Sequence, residues 1–180
     1  MSLLGHVAIG VATARRITPA DETADVLRSR MVILSTLALL PDVDFLLQAV
    51  SPSVGFFDHR AATHSLAFAL WVGAIAMIFL VATKRPRPLE WGLLATAVVA
   101  SHGLLDSFGN TTLGVELFWP FSDARVLAPL HILPNPNFQD LFLRRGLADL
   151  GLEFLIFLPF WIYAFYPRRP RPSATLPHGG

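Results

Sequence analysis

Four groups of histidine and aspartate sit in segments that are otherwise almost wholly apolar. They are His6 near the start, Asp42 and Asp44 in LLPDVDFLL, His59 and His64 in DHRAATHSL, and His102 and Asp106 in SHGLLDSF. A carboxylate at the centre of a membrane helix costs about 2.5–3.5 kcal/mol on insertion scales, so such residues face a cavity and carry function. His102 and Asp106 are four apart and share one helix face, where an imidazole and a carboxylate can converge on one ion. On a regular helix Asp42 and Asp44 would point about 200° apart. Pro41 interrupts the hydrogen-bond ladder just before them, which lets both turn toward one cavity. His59 and His64 suit a loop residue followed by the start of the next helix, with Thr63 or Ser65 as its cap.

Together these residues are four histidines and three aspartates in a chain without cysteine, a donor set suited to Zn²⁺, Mn²⁺ or Fe²⁺. Seven ligands exceed one tetrahedral ion and suit two or three, most simply zinc. A multinuclear site fits phosphoester hydrolysis, because divalent ions lower the pKa of a bound water and hold phosphoryl oxygens. Any one histidine on an apolar helix is more often a packing residue; the metal reading rests on all the clusters together. His131 in a loop and His178 in the tail lack partner spacing and are expected to stand apart. Asp149 and Glu153 share a helix face, and Arg145 four residues before Asp149 predicts a structural ion pair there.

The elements that must position these groups are long and apolar. The chain has 180 residues, 53% hydrophobic and 15% charged, with mean hydropathy +0.53, against roughly 25% charged in soluble domains. Net charge is +1, which gives no global field for nucleic acid. Residues 65–83 carry no charge and would span about 28 Å as a helix, close to a bilayer core. Segments 31–50, 89–108 and 146–166 are nearly as apolar. The expected fold is therefore all-α: a polytopic bundle of four transmembrane helices plus a short N-terminal helix over Leu3–Ile17. That first segment is too short to cross comfortably and carries no secretory signal pattern. Residues 1–166 form a single domain, and the proline-rich tail 167–180 is expected to be disordered and cytoplasmic.

Basic residues give the orientation. Arg15, Arg16, Arg28, Arg30, Lys84, Arg85, Arg87, Arg168, Arg169 and Arg171 fall on one side if the helices alternate; Arg60, Arg125, Arg144 and Arg145 fall on the other. The excess places the first group in the cytoplasm. All seven His and Asp candidates then meet toward the outer, periplasmic face of an inner membrane. Trp119, Phe118 and Phe121 suit interfacial anchoring there.

The succession GHVAIG, LLPDVD, HRAATHS and SHGLLDSFGNTTLGVELFWPFSD resembles the YdjM-type family of inner-membrane, predicted metal-dependent hydrolases over roughly residues 1–125. More distantly it is similar to zinc-dependent phospholipase C and P1-type nucleases, helical enzymes with a trinuclear zinc site. The resemblance implies metal ligation by His6, Asp42, His59, His64, His102 and Asp106. It leaves Asp44 open between ligand and orienting group, and implies that Asp123 of the WPFSD block faces the site. The stretch from Asp106 to Thr112 departs from the Thr-rich turn expected there, so no role is assigned to Asn110 or Thr112.

The function expected is metal-dependent hydrolysis of a phosphoester in a lipid or lipid-linked substrate. Asp44 would orient or deprotonate the attacking water. Arg60 and Arg125 are the candidate phosphate clamps, with interfacial anchoring as their ordinary alternative. A metal- or proton-coupled transporter could use the same intramembrane groups, and a structural protein could use a metal to pin helices.

Overall fold

The computed structural model describes residues 3–45, 58–111, 113–134 and 143–167. Among them are five helices: α1 (Leu3–Ile17), α2 (Ala24–Leu39), α3 (Leu66–Ala82), α4 (Pro88–Ser107) and α5 (Arg144–Phe165). Extended pairing among these residues is limited to two isolated bridges, Gly109 with Leu133 and Val115 with Val126. The all-α expectation holds. The expected tail lies outside the described residues apart from Pro167, as does the 46–50 end of the second expected span.

Local chemistry sets the boundaries. Thr23 caps α2 by accepting from the Val26 N–H at 3.3 Å. Pro41 ends that helix in a single 3-10 turn, Leu40–Asp42, because its ring clashes with continued α geometry. Ser65 caps α3, accepting from the Phe68 N–H at 3.0 Å. The KRPRP segment reverses the chain between α3 and α4 with Lys84 and Arg87 both at positive φ, and Pro88 supplies the first residue of α4.

α1 packs on α2 and α5, α3 on α4, and α2 bridges the two pairs through α4. Small residues set the closest approach: a side chain at Gly73 of α3 would collide with Thr96 and the Gly92 carbonyl of α4. The central core is Val11, Ala14, Leu34, Ala38, Val98 and Ala164. The outside of the bundle is also apolar. Leu70, Trp71, Ile75, Ile78 and Phe79 on α3 are all at least 60% exposed, a surface that water would not tolerate but acyl chains solvate.

By length and apolarity one described helix, Arg144–Phe165, clearly suffices to cross a bilayer; Leu66–Ala82 is as apolar but has 17 residues. The span expected over 31–50 is instead a helix that starts at Ala24 and stops at Leu39, because Pro41 cuts it short.

The helix ends segregate. His6, Asp42, His64, His102 and Asp106 lie at one end of the bundle. Arg15 and Arg16 close α1 at the other, where the Arg15 guanidinium donates to the Tyr166 carbonyl at 2.9 Å. Arg30 stacks on Trp91 at 5.5 Å at that same end.

Candidate metal centre

The 3-10 turn after α2, a second 3-10 turn at Ala62–His64, the first turns of α1 and the last turns of α4 meet at one point. His6, His64, His102, Asp44 and Asp106 are each at most 2% exposed there. The side chains of Asp42 and His59 are 25% and 30% exposed and form the mouth.

Four donor atoms face one another. Nε2 of His64 lies 3.1 Å from Nε2 of His102. Oδ1 of Asp42 is 3.3 Å from the His102 nitrogen and 3.7 Å from that of His64. Oδ2 of Asp106 is 3.6 Å from the His64 nitrogen and 3.9 Å from that of His102. Donors about 2.0–2.1 Å from a tetrahedral zinc stand roughly 3.3–3.4 Å apart. The spacings among His64, His102 and Asp106 are therefore close to those of three ligands on one divalent cation, with Asp42 beside the two histidines.

The imidazoles are oriented for that role. Nδ1–H of His102 donates to the Ala38 carbonyl at 2.7 Å, which leaves the Nε2 lone pair pointing into the cage. Nδ1 of His64 lies 3.2 Å from Asp44 Oδ2. Asp44 is itself held by the Thr63 hydroxyl at 2.8 Å, the Arg60 N–H at 3.3 Å and Nδ1 of His59 at 3.1 Å. A carboxylate behind a ligating histidine fixes its tautomer and raises its basicity. The choice left open for Asp44 thus falls on the orienting role: its oxygens address the Nδ1 side of His64, away from the four-donor centre.

Two nitrogen lone pairs cannot face each other at 3.1 Å without a proton or a cation between them. Burial alone would lower the His64 pKa, but the Asp42 and Asp44 carboxylates beside it raise it to about 9. At neutral pH the ion-free cage therefore holds a proton that a metal must displace.

His6 and His59 flank the centre. The His6 ring stacks on His102 with centroids 3.6 Å apart and planes 7° apart. Its Nε2 pairs with Asp106 Oδ1 at 3.3 Å, while Nδ1 has no hydrogen-bond partner among the described residues. A buried imidazole nitrogen without a partner is costly unless it serves a ligand. Asp42 joins a donor group with His6 and His102, and another with His59 and His64. All seven sequence-derived His and Asp candidates are thus brought together.

The arginines are used differently from each other. Arg60 is 2% exposed, at φ 68°, with Nε 3.4 Å from Asp106 Oδ2. It is a buried counter-charge to a cage carboxylate rather than a solvent-facing clamp, which departs from its expected role. Arg125 pairs with Glu116 at 3.0 Å and reaches the His59 carbonyl at 3.4 Å. It stays at the mouth, where an anion can approach. Asp123 is exposed on the 115–126 hairpin, and no contact joins it to the cage among the described residues. His131 is exposed in the outer loop, as expected. His178 and Thr112 lie outside the described residues, while Asn110 donates its backbone N–H to the Leu133 carbonyl at 2.8 Å.

Sequence reasoning missed Glu153. The carboxylate expected beside an Arg145–Asp149 ion pair is wholly buried, and its Oε1 accepts the Gly5 N–H at 2.9 Å. It satisfies an orphan donor in the first turn of α1 and holds that turn, with His6, against the cage. The available signal was a carboxylate in the apolar stretch of α5.

A helical bundle that is apolar outside, with a buried His and Asp cage at one end, defines a membrane protein with a candidate metal centre. The chain belongs to the YdjM inner membrane protein family, whose match spans residues 1–170 and so runs past the motifs into α5. It is also similar to inner membrane protein YbcI of Escherichia coli (strain K12), at 33% identity over 128 residues covering 71% of this chain and 72% of that protein. No solved structure matches it.

Proposed function

We propose that the protein is a metal-dependent phosphoester hydrolase acting on a lipid or lipid-linked substrate at the periplasmic face of the inner membrane. The observation that carries this reading is the convergence of His64, His102 and Asp106 at metal-ligand spacing, with Asp42 beside them and both imidazoles held through Nδ1. A divalent ion held there, most simply zinc, would supply Lewis acidity toward a phosphoryl oxygen and an acidified water. Asp42 and Asp106 extend the donor set toward His59 and His6, which suits a second ion sharing their carboxylates.

The chain's own residues then have distinct tasks. Asp44 and the Ala38 carbonyl fix the imidazoles. Arg60 balances the charge of Asp106 from behind. Arg125 at the mouth is the residue placed to meet a phosphate, and His59 and Asp42 line the way in. Apolar surfaces beside the mouth can keep the acyl chains in the bilayer while the headgroup enters, so the lipid need not be extracted.

The distribution of basic residues supports this orientation. Helices α2 to α5 would cross in alternation, with Arg15, Arg16, Arg28, Arg30, Lys84, Arg85 and Arg87 inside. The transporter alternative is disfavoured by the packing below the cage. Ala38, Val98, Val11 and Leu34 fill the bundle toward the basic end, whereas transport needs a polar path.

The test is a panel of phospholipids and lipid phosphates incubated with zinc-loaded protein. Turnover stopped by chelation and absent in His64→Ala supports the reading. No cleavage, with metal-dependent flux into reconstituted vesicles, replaces it with transport.

A further inference from the structure

Ten residues from His6 along α1, about 15 Å toward the basic end, Arg16 stands at the end of an open apolar groove. Its walls are Ile9 and Thr13 of α1, Leu94 of α4, and Phe160 and Tyr163 of α5. The groove has a volume of about 530 Å³, within the usual range for small-molecule sites. It opens beside Pro159, which has no N–H to give the Leu155 carbonyl and so interrupts the wall of α5.

The cation at its end is the telling feature. Arg15 donates to the Tyr166 carbonyl, Arg28 pairs with Asp25, and Arg30 lies 3.9 Å from Glu22 and stacks on Trp91. Arg16 has no ion pair or hydrogen bond with any described residue. A separate cavity of about 360 Å³ at this end is lined by Arg15 and Arg28 together with Glu22, so its charge is partly compensated. An apolar slot ending in an uncompensated guanidinium has the charge pattern of a phospholipid turned inside out.

We propose that this groove is a binding site for an anionic phospholipid of the cytoplasmic leaflet. An acyl chain lies along Ile9, Thr13 and Phe160, and the phosphate sits on Arg16. The groove alone cannot select a lipid, because acyl chains gain little by leaving one apolar environment for another. Selection comes from charge: a guanidinium binds phosphate in a planar fork, and a headgroup with net negative charge gains more from the unpaired Arg16 than a zwitterionic one. The site lies at the opposite end of the bundle from the His and Asp cage; it rests on the orientation proposed above for its leaflet, and not on the hydrolase chemistry.

The experiment is native mass spectrometry of the full chain purified with an equimolar mixture of phosphatidylglycerol and phosphatidylcholine. Wild type should retain phosphatidylglycerol several-fold over phosphatidylcholine. Arg16→Gln, an exposed position, should bring the ratio close to one at unchanged helical content. Thr13→Trp, which fills the groove, should cut the total lipid retained. Equal retention of the two lipids by wild type, or an unchanged ratio in Arg16→Gln, overturns the proposal. So does a dimer that Thr13→Trp dissociates, which would assign the groove to a second copy of the chain.

Discussion

Asp44 and Glu153 are both buried carboxylates that work through a neighbour, and each predicts a measurable loss. Asp44 holds Nδ1 of His64 at 3.2 Å while Nε2 faces the cage. Asp44→Asn keeps the shape but weakens the hold on the tautomer, so metal affinity should fall about 10–100-fold, read by competition with a chromogenic chelator. His102→Ala should lose the ion outright under the same conditions. Glu153 accepts the Gly5 N–H at 2.9 Å from 148 residues away. Glu153→Leu strands that buried donor, at a cost of about 1–3 kcal/mol, and frees the turn that carries His6. The thermal midpoint and the bound metal should fall together, and Glu153→Gln, which retains an acceptor oxygen, should restore most of both. A midpoint that falls while metal content and affinity stay at wild type would confine Glu153 to stability.

Helix contacts fix how closely the two halves of the cage approach. Gly103 sits one residue after His102, and a Cβ there would collide with the His64 carbonyl. That close approach lets the Ala62–His64 turn rest on α4 and brings the two Nε2 atoms to 3.1 Å. Gly151 in α5 is the natural control, with nothing within 4 Å of an added Cβ. Gly103→Ala should push the turn away and abolish metal retention. Gly151→Ala should leave metal unchanged and raise stability by roughly 0.5–1 kcal/mol through helix propensity, seen as a higher midpoint. Equal behaviour of the two alanine variants would remove the close approach as the cause.

At the scale of the molecule, the cage and the arginines that close α1 occupy opposite ends of one bundle, which makes topology testable. The chain has no cysteine, so single replacements report cleanly. An Asp123→Cys protein should label from the periplasm with an impermeant maleimide. An Arg85→Cys protein should label only after the membrane is opened. Labelling of both from the same side would overturn the proposed orientation. The proposed substrate would fall with it, since a cytoplasmic cage meets a different leaflet.

Composition and patterning were enough to determine that this chain is helical and apolar outside. They also identified the seven polar side chains that gather in it, because a His or Asp in an apolar segment is costly wherever it has no shared purpose. Pro41 ending α2, the Ser65 cap and the His102–Asp106 face were all legible, since each depends on residues within four of one another. Tertiary structure alone decided the division of labour. His102 takes its tautomer from Ala38, 64 residues away; Asp44 serves His64 from behind; Arg60 turns inward to Asp106; and Glu153 reaches Gly5. Each of these choices depends on which helix packs beside which, and residue spacing along the chain carries no record of partners that meet only when the bundle closes.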